Sequence, residues 1–224
     1  MRRLTVGLVA IASLWAAGAD AHPPRAAVAA KALPPPRFGH TLDIGLVSGR
    51  VIVTPPGKQP FKLGVQDQNI PIGSLLDTTR GRIDLRAAPR PGSTTAGTVR
   101  AAKVQDAEFY RGKFTVRQRA GTTVTQILLA GGNPSACSQS AQPTAQRRAL
   151  PHRVLRLLGA SGTGKFQTRG RYAAATVRGT IWTTTDYCDG TKVSVQRDVV
   201  SVQDFVRHRT VTVTAGHSYF AKAP

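Results

Sequence analysis

Along most of the chain, apolar and polar residues alternate with a period of two. Ile83 and Leu85 alternate with Asp84 and Arg86, and Phe114 and Val116 alternate with Thr115 and Arg117. Such a period puts successive side chains on opposite faces and predicts half-buried strands. The pattern continues in "TVTQILLA" from Thr123, "RVLRLL" from Arg153, "TVRGTIWTTT" from Thr176, "TKVSVQ" from Thr191, "VVSVQDF" from Val199 and "TVTVTA" from Thr210. No segment keeps a helical spacing of apolar positions. The chain is therefore predicted to be all-β.

Strand starts share a small unit: a glycine, a basic residue, then an apolar one. It occurs as "GRVIV" at Gly49, "GRIDL" at Gly81, "GKFTV" at Gly112, "GKFQT" at Gly164 and "GRYAA" at Gly170. Glycine tolerates the positive φ of a tight turn, so each unit reads as a turn entering a strand. The first three units lie about 31 residues apart, a period that predicts a stacked β architecture. A β-sandwich is the alternative.

Two stretches break the pattern. Residues 22–40, "HPPRAAVAAKALPPPRFGH", are expected to be an extended linker without a fold of its own. Residues 131–151, "GGNPSACSQSAQPTAQRRALP", form a long polar loop, and such loops in compact domains are functional or disordered. The folded domain is expected over residues 41–221.

The N-terminus changes the picture of where the chain works. Arg2 and Arg3 precede an apolar run from Leu4 to Gly18, and Ala19-Asp20-Ala21 is an A-x-A cleavage site. Residues 1–21 read as a secretory signal peptide, with a retained anchor as the alternative. No later run is long and apolar enough for a transmembrane helix. A secreted or cell-envelope protein meets an oxidising space, so Cys137 and Cys188 are expected to pair. Two unpaired thiols, or a metal site with His152, His208 or His217, are the alternatives. No C-x-x-C or H-x-x-x-H spacing stands behind the metal site.

Charge narrows the partners. The formal net charge is +20, a surface that attracts polyanions. The basic residues are dispersed and aromatics make up only 6% of the chain, so few rings remain to stack on bases. Specific nucleic-acid recognition is not expected. Arg50, Arg82, Lys113, Lys165 and Arg171, each following a glycine, are expected to form a basic ridge that contacts an anionic envelope polymer.

Catalytic motifs are approximated but not completed. "GASGTGKF", Gly159 to Phe166, resembles a phosphate-binding loop, yet Phe166 stands where a hydroxyl must bind Mg²⁺. The residues after Lys165 alternate like strands, where a phosphate site needs a helix N-terminus. Gly162-Thr163-Gly164 is predicted to be a hairpin turn. Thr163 also denies Ser161 a G-x-S-x-G elbow. His22, His40, His152, His208 and His217 show no triad spacing, although triads assemble from distant positions. "DYCDG" brings Asp186 and Asp189 to an Asp-Gly hairpin turn, with a calcium site as the alternative. No catalytic residue, cofactor or metal ligand is predicted.

The C-terminal third adds a resemblance. "ATVRGTIWTTTDYCDGTKVSVQRDVVSVQD" followed by "VTVTAGHSYFA" resembles the FecR domain, the family of the periplasmic ferric-citrate sensor-transducer. The shared parts are an apolar-R-G-T-x-apolar strand at Val177–Trp182, a polar hairpin at Asp186–Gly190, a V-x-V element over Val193–Val202, and a strand over Val211–Gly216. "IPIGSLLDTTRGRIDLRAA" resembles the family's opening, so the likeness covers roughly residues 45–221. Asp198 stands where the family has a turn glycine, and Asp tolerates the left-handed region. The resemblance implies a solenoid-like stack of strands without catalytic machinery, and no site residues carry over. Signalling members place a cytoplasmic segment and a membrane span before this domain; here a signal peptide and a linker stand in their place. The expectation is a non-enzymatic module that binds a protein partner or an anionic envelope polymer. The rivals are an envelope hydrolase with its site in the 131–151 loop beside His152, and a structural coat component.

Overall fold

The structure, a computed structural model, describes residues 33–90, 104–137 and 151–224. The expected signal peptide and residues 22–32 of the expected linker lie outside the described residues. The last part of that linker is docked: Pro36 is buried and the Gly39 N–H donates to Gln118 Oε1 at 2.9 Å. Leu33–Pro224 is one compact unit. Strands make up 64% of the structure and helix 2%, so the all-β expectation holds.

In chain order the strands are β1 (Thr41–Thr54), β2 (Phe61–Lys62), β3 (Gln68–Pro71), β4 (Leu75–Ala87), β5 (Gln105–Tyr110), β6 (Lys113–Gln118) and β7 (Thr125–Ala130). There follow β8 (Val154–Arg169), β9 (Ala173–Tyr187), β10 (Gly190–Arg197), β11 (Val199–Asp204), β12 (Arg209–Thr214) and β13 (Ser218–Lys222). Five of them close a barrel. β4 pairs with β5, β5 with β8, β8 with β7, β7 with β6, and β6 returns to β4; only the β7–β8 contact is parallel.

Inward positions of these strands fill the barrel. Phe109 packs against Phe114 and Phe166 at ring separations of 5.0 and 5.8 Å. All three are fully buried, with Leu76, Ile83, Ile127 and Trp182 around them. Each such side chain stabilises the fold by about 1.5–3 kcal/mol through removal from water. The Trp182 indole N–H is satisfied by Thr168 Oγ1 at 3.0 Å, as a buried indole requires.

The strands are not all short. β1, β4, β8 and β9 run 14, 13, 16 and 15 residues. They form two long antiparallel hairpins, β1–β4 and β8–β9, each bent at its middle where the register slips. Gly49, Gly81 and Gly164, expected at turns, lie inside these strands, whereas Gly112 and Gly170 do lie at turns. Gly162-Thr163-Gly164, expected as a hairpin turn, is the bend of β8. The bends account for the difference. Buried positions run Leu42, Ile44 before the β1 bend and Val51, Val53 after it. In β4 they run Leu76, Thr78 and then Ile83, Leu85. A bulge changes the alternation phase, and a phase change reads in sequence like the end of a strand.

The bends also require close backbone contact. Gly49, at φ +73°, faces Gly81 across the ladder; a Cβ on Gly49 would lie 2.8 Å from the Gly81 Cα. A Cβ on Gly162 would lie 2.6 Å from the Asp106 carbonyl oxygen and would overlap Ala107.

The two halves repeat one plan. The first half of β4 pairs with β6 and its second half with β5. The first half of β9 pairs with β11 and its second half with β10. β7 then follows β6, as β12 follows β11. The repeated unit is thus a bent hairpin with three further strands, in place of the expected period of about 31 residues.

Of the 131–151 loop, 131–137 is described and ends in a 3-10 turn, Pro134–Cys137; 138–150 lies outside the described residues. The expected disulfide is formed. Cys137 joins Cys188 with a Cα separation of 5.5 Å across 51 residues of chain, worth about 4 kcal/mol by loop-closure entropy. This bond suits an oxidising, extracellular-type compartment. Among the described residues no helix is long and apolar enough to cross a membrane.

Gly162→Val is expected to destabilise the protein by about 3 kcal/mol or more, because backbone cannot move out of the way. Gly64→Val, where nothing lies within 4 Å of a Cβ, is expected to change stability by less than about 0.5 kcal/mol. Thermal melts of both variants check this; equal losses would contradict the close-contact account of the bend.

Candidate functional site

The bend of the first hairpin builds the strongest site. Ser48 pairs with Arg82, Gly49 with Gly81, and Arg50 with Arg80; beyond Arg50 the register slips to Ile52–Asp77. Val51 and Val53 point inward and are buried, so Arg50 and Ile52 take the outer face. The bulge turns Thr79 and Arg80 out to water together. Thr78 fastens the bulge to the β5–β6 turn: its N–H and its hydroxyl both donate to the Gly112 carbonyl at 2.8 Å, and its carbonyl accepts the Arg111 N–H at 2.9 Å. The same turn delivers Lys113 opposite Asp77.

The result is a cleft of about 320 Å³ lined by Arg50, Ile52, Asp77, Thr79, Arg80 and Lys113. Lys113 Nζ is 2.9 Å from Asp77. Burial alone would raise the Asp77 pKa; hydrogen bonds from Thr79 and Lys113 outweigh it and hold the carboxyl below its ordinary value. Lys113 is therefore matched by a carboxylate. Among the described residues Arg50 and Arg80 make no ion pair, although they face each other directly. Like charges opposed across a ladder are destabilising. An anion held between two guanidinium groups removes that repulsion and gains charge-assisted hydrogen bonds.

Arg50 and Lys113 of the expected ridge thus meet in this cleft, while the other three members do not line it. Arg82 is bonded to Glu108 at 2.7 Å and lies over the Tyr110 ring at 4.2 Å. Lys165 reaches the Thr123 hydroxyl at 3.3 Å. Arg171 sits in the β8–β9 turn, its N–H bonded to Asp186 at 3.0 Å. Arg80 precedes its glycine instead of following it; R-G also stands at Arg111-Gly112, Arg169-Gly170 and Arg178-Gly179, so the pair alone does not mark the site.

Other chemistry is used up within the fold. Lys165 and its glycines lie inside β8, with no helix to cradle a phosphate. Ser161 pairs in strand between Glu108 and Ile181. Asp186 is fully buried; it accepts Arg156 Nε at 2.6 Å, the Arg171 N–H and the Thr191 hydroxyl. Asp189 bonds His152 Nδ1 at 2.9 Å, and that imidazole stacks on Tyr187 at 4.1 Å. Among the described residues no serine or threonine hydroxyl bonds His152, and no three His, Cys, Asp or Glu gather as a metal set.

No family model, curated protein or solved structure matches this chain.

Asp43, Asp67, Asp84 and Asp106 surround Arg86 on the outer side of β1, β4 and β5. Arg86 is ion-paired to Asp67 and lies 3.2 Å from Asp84. Burial, then the hydrogen bond and the charge of Asp106, push the Asp84 carboxyl up to about 7 from its ordinary 3.8. A carboxyl raised in the folded state prefers to stay protonated there. Its unfavourable contribution is absent below about pH 4 and grows as pH rises through about 7. Asp84→Asn is accordingly expected to gain stability over the unsubstituted protein as pH is raised from about 4 to about 8. Paired melts across that range test it; a stability difference that stays constant with pH would contradict the assignment.

Proposed function

We propose that this chain is a secreted or cell-envelope, non-enzymatic β module that binds an anionic envelope polymer through the Arg50–Arg80–Lys113 cleft. The observation that carries the reading is the Arg50–Arg80 pair, two exposed arginines at directly paired positions of β1 and β4, neither of them ion-paired among the described residues. A structure that needed only solubility gains nothing from that arrangement. The high positive charge of the chain adds long-range attraction for the same ligands. The disulfide supports a place outside the reducing cytosol. A FecR-type roll is proposed on the motifs quoted above and on the tandem arrangement of the two hairpins. A protein partner would engage the same cleft through acidic side chains.

The envelope hydrolase is the second reading, favoured by the His152–Asp189 pair. It needs a nucleophile from residues 138–150, which lie outside the described residues.

Inorganic polyphosphate serves as the probe polymer. The Arg50→Gln, Arg80→Gln double variant is expected to bind it at least tenfold more weakly at low salt. Its slope of log affinity against log salt should be shallower by roughly two, one for each lost contact. A charge-matched Arg117→Gln, Arg119→Gln variant is expected to lose far less. Equal losses in the two variants would reduce the binding to net charge and remove the cleft from the account.

A further inference from the structure

The tandem plan places a counterpart of the cleft in the second copy. Val200 pairs with Val177 there as Phe114 pairs with Leu76 in the first copy. One step along, Arg178 stands where the first copy has Asp77, and Val199 where it has Lys113. A second cleft of about 650 Å³ opens at this point, lined among others by Arg178, Gly179, Asp198, Val199 and Ser201. Lys165 of β8 stands directly opposite Arg178 of β9, beside the bend of the second hairpin.

A like-charge pair thus lies at the second bend as well, at the ladder position that Ile52 and Asp77 hold in the first hairpin. Both side chains are exposed, and the hydrogen bond Lys165 makes is to a neutral hydroxyl, Thr123 Oγ1. The one carboxylate at the cleft, Asp198, is 3.5 Å from Arg197. Relative to the first copy, the internal Asp77–Lys113 match is replaced by a cation and an apolar residue. Nothing in the second cleft neutralises Arg178 among the described residues. Two bends of one chain thus carry directly paired, exposed cationic residues on the outer face.

We propose that the Lys165–Arg178 pair, together with the adjoining cleft that Arg178 lines, is a second anion subsite, so that one polyanion engages both copies of the repeat. The proposal rests on the anion-binding reading of the first cleft but uses different residues. Its ligand chemistry is the same: a chain bearing repeated phosphate, sulfate or carboxylate groups. Two linked subsites bind a long chain more tightly than a short one, because the second contact becomes intramolecular; the gain is typically about 10²–10⁴-fold.

The test uses the full mature chain, titrated calorimetrically with tripolyphosphate and with long-chain polyphosphate. The unsubstituted protein is expected to bind two tripolyphosphates, and to bind long chains about a hundredfold more tightly. Lys165→Gln with Arg178→Gln is expected to leave one tripolyphosphate site and to abolish the chain-length gain. Lys165→Arg with Arg178→Lys, which keeps both charges, should restore both readings, and the melting temperature of each variant checks the fold. Unchanged stoichiometry and an unchanged chain-length gain in the Gln variant would overturn the proposal. The first cleft is judged separately: if Arg50→Gln with Arg80→Gln leaves binding intact while the second pair abolishes a site, the first reading and the bridging of both copies fail, and only the second subsite stands.

Discussion

Two long hairpins share one barrel here because their strands can bend where no Cβ stands in the way. Gly49 meets Gly81 across β1 and β4, and Gly162 lies against Ala107 and Asp106 of β5. A side chain at either place would push backbone against backbone. Without the bends, β4 could not pair with β5 along one half and β6 along the other, nor could β8 reach both β5 and β7. Barrel closure, and with it the burial of Phe109, Phe114 and Phe166, depends on that steric allowance.

The same bends generate the surface chemistry. A bulge shifts the side-chain phase, so residues on either side of it are turned outward next to each other. In the first hairpin this exposes Arg50 and Arg80 as an opposed pair, and in the second Lys165 and Arg178. Thr78, bonded to the β5–β6 turn, fixes the first bulge and sets Lys113 beside it. The cost is electrostatic repulsion at both bends, roughly 0.2–1 kcal/mol per pair. An anion bound there would offset that cost, which ties the proposed binding to the backbone geometry instead of to net charge alone.

Much of the secondary structure was legible in the sequence. β7, β10, β11 and β12 follow runs of alternation that end at clear turn residues, and the disulfide followed from two cysteines in a chain expected to be exported. The long strands were not legible as such. Their alternation changes phase at Gly49, Gly81 and Gly179, and a phase change beside a glycine looks the same as a turn. The site was half legible. Arg50, Lys113 and Lys165 follow glycines, but Arg80 and Arg178 precede them, and only the ladder register shows which cations face each other. The Asp84–Asp106 contact joins residues on β4 and β5 and has no local signature at all.

The most direct measurement is a double-mutant cycle of folding stability at Arg50 and Arg80, each changed to Gln, at low ionic strength without added polyanion. If the bend forces these guanidinium groups together, each single change should stabilise the fold. The pair should then gain less than the sum, with a repulsive coupling of roughly 0.5 kcal/mol that fades in about 1 M salt. Saturating polyanion should reverse the sign of that coupling. A coupling of zero at low salt, or an attractive one in the free protein, would contradict the account.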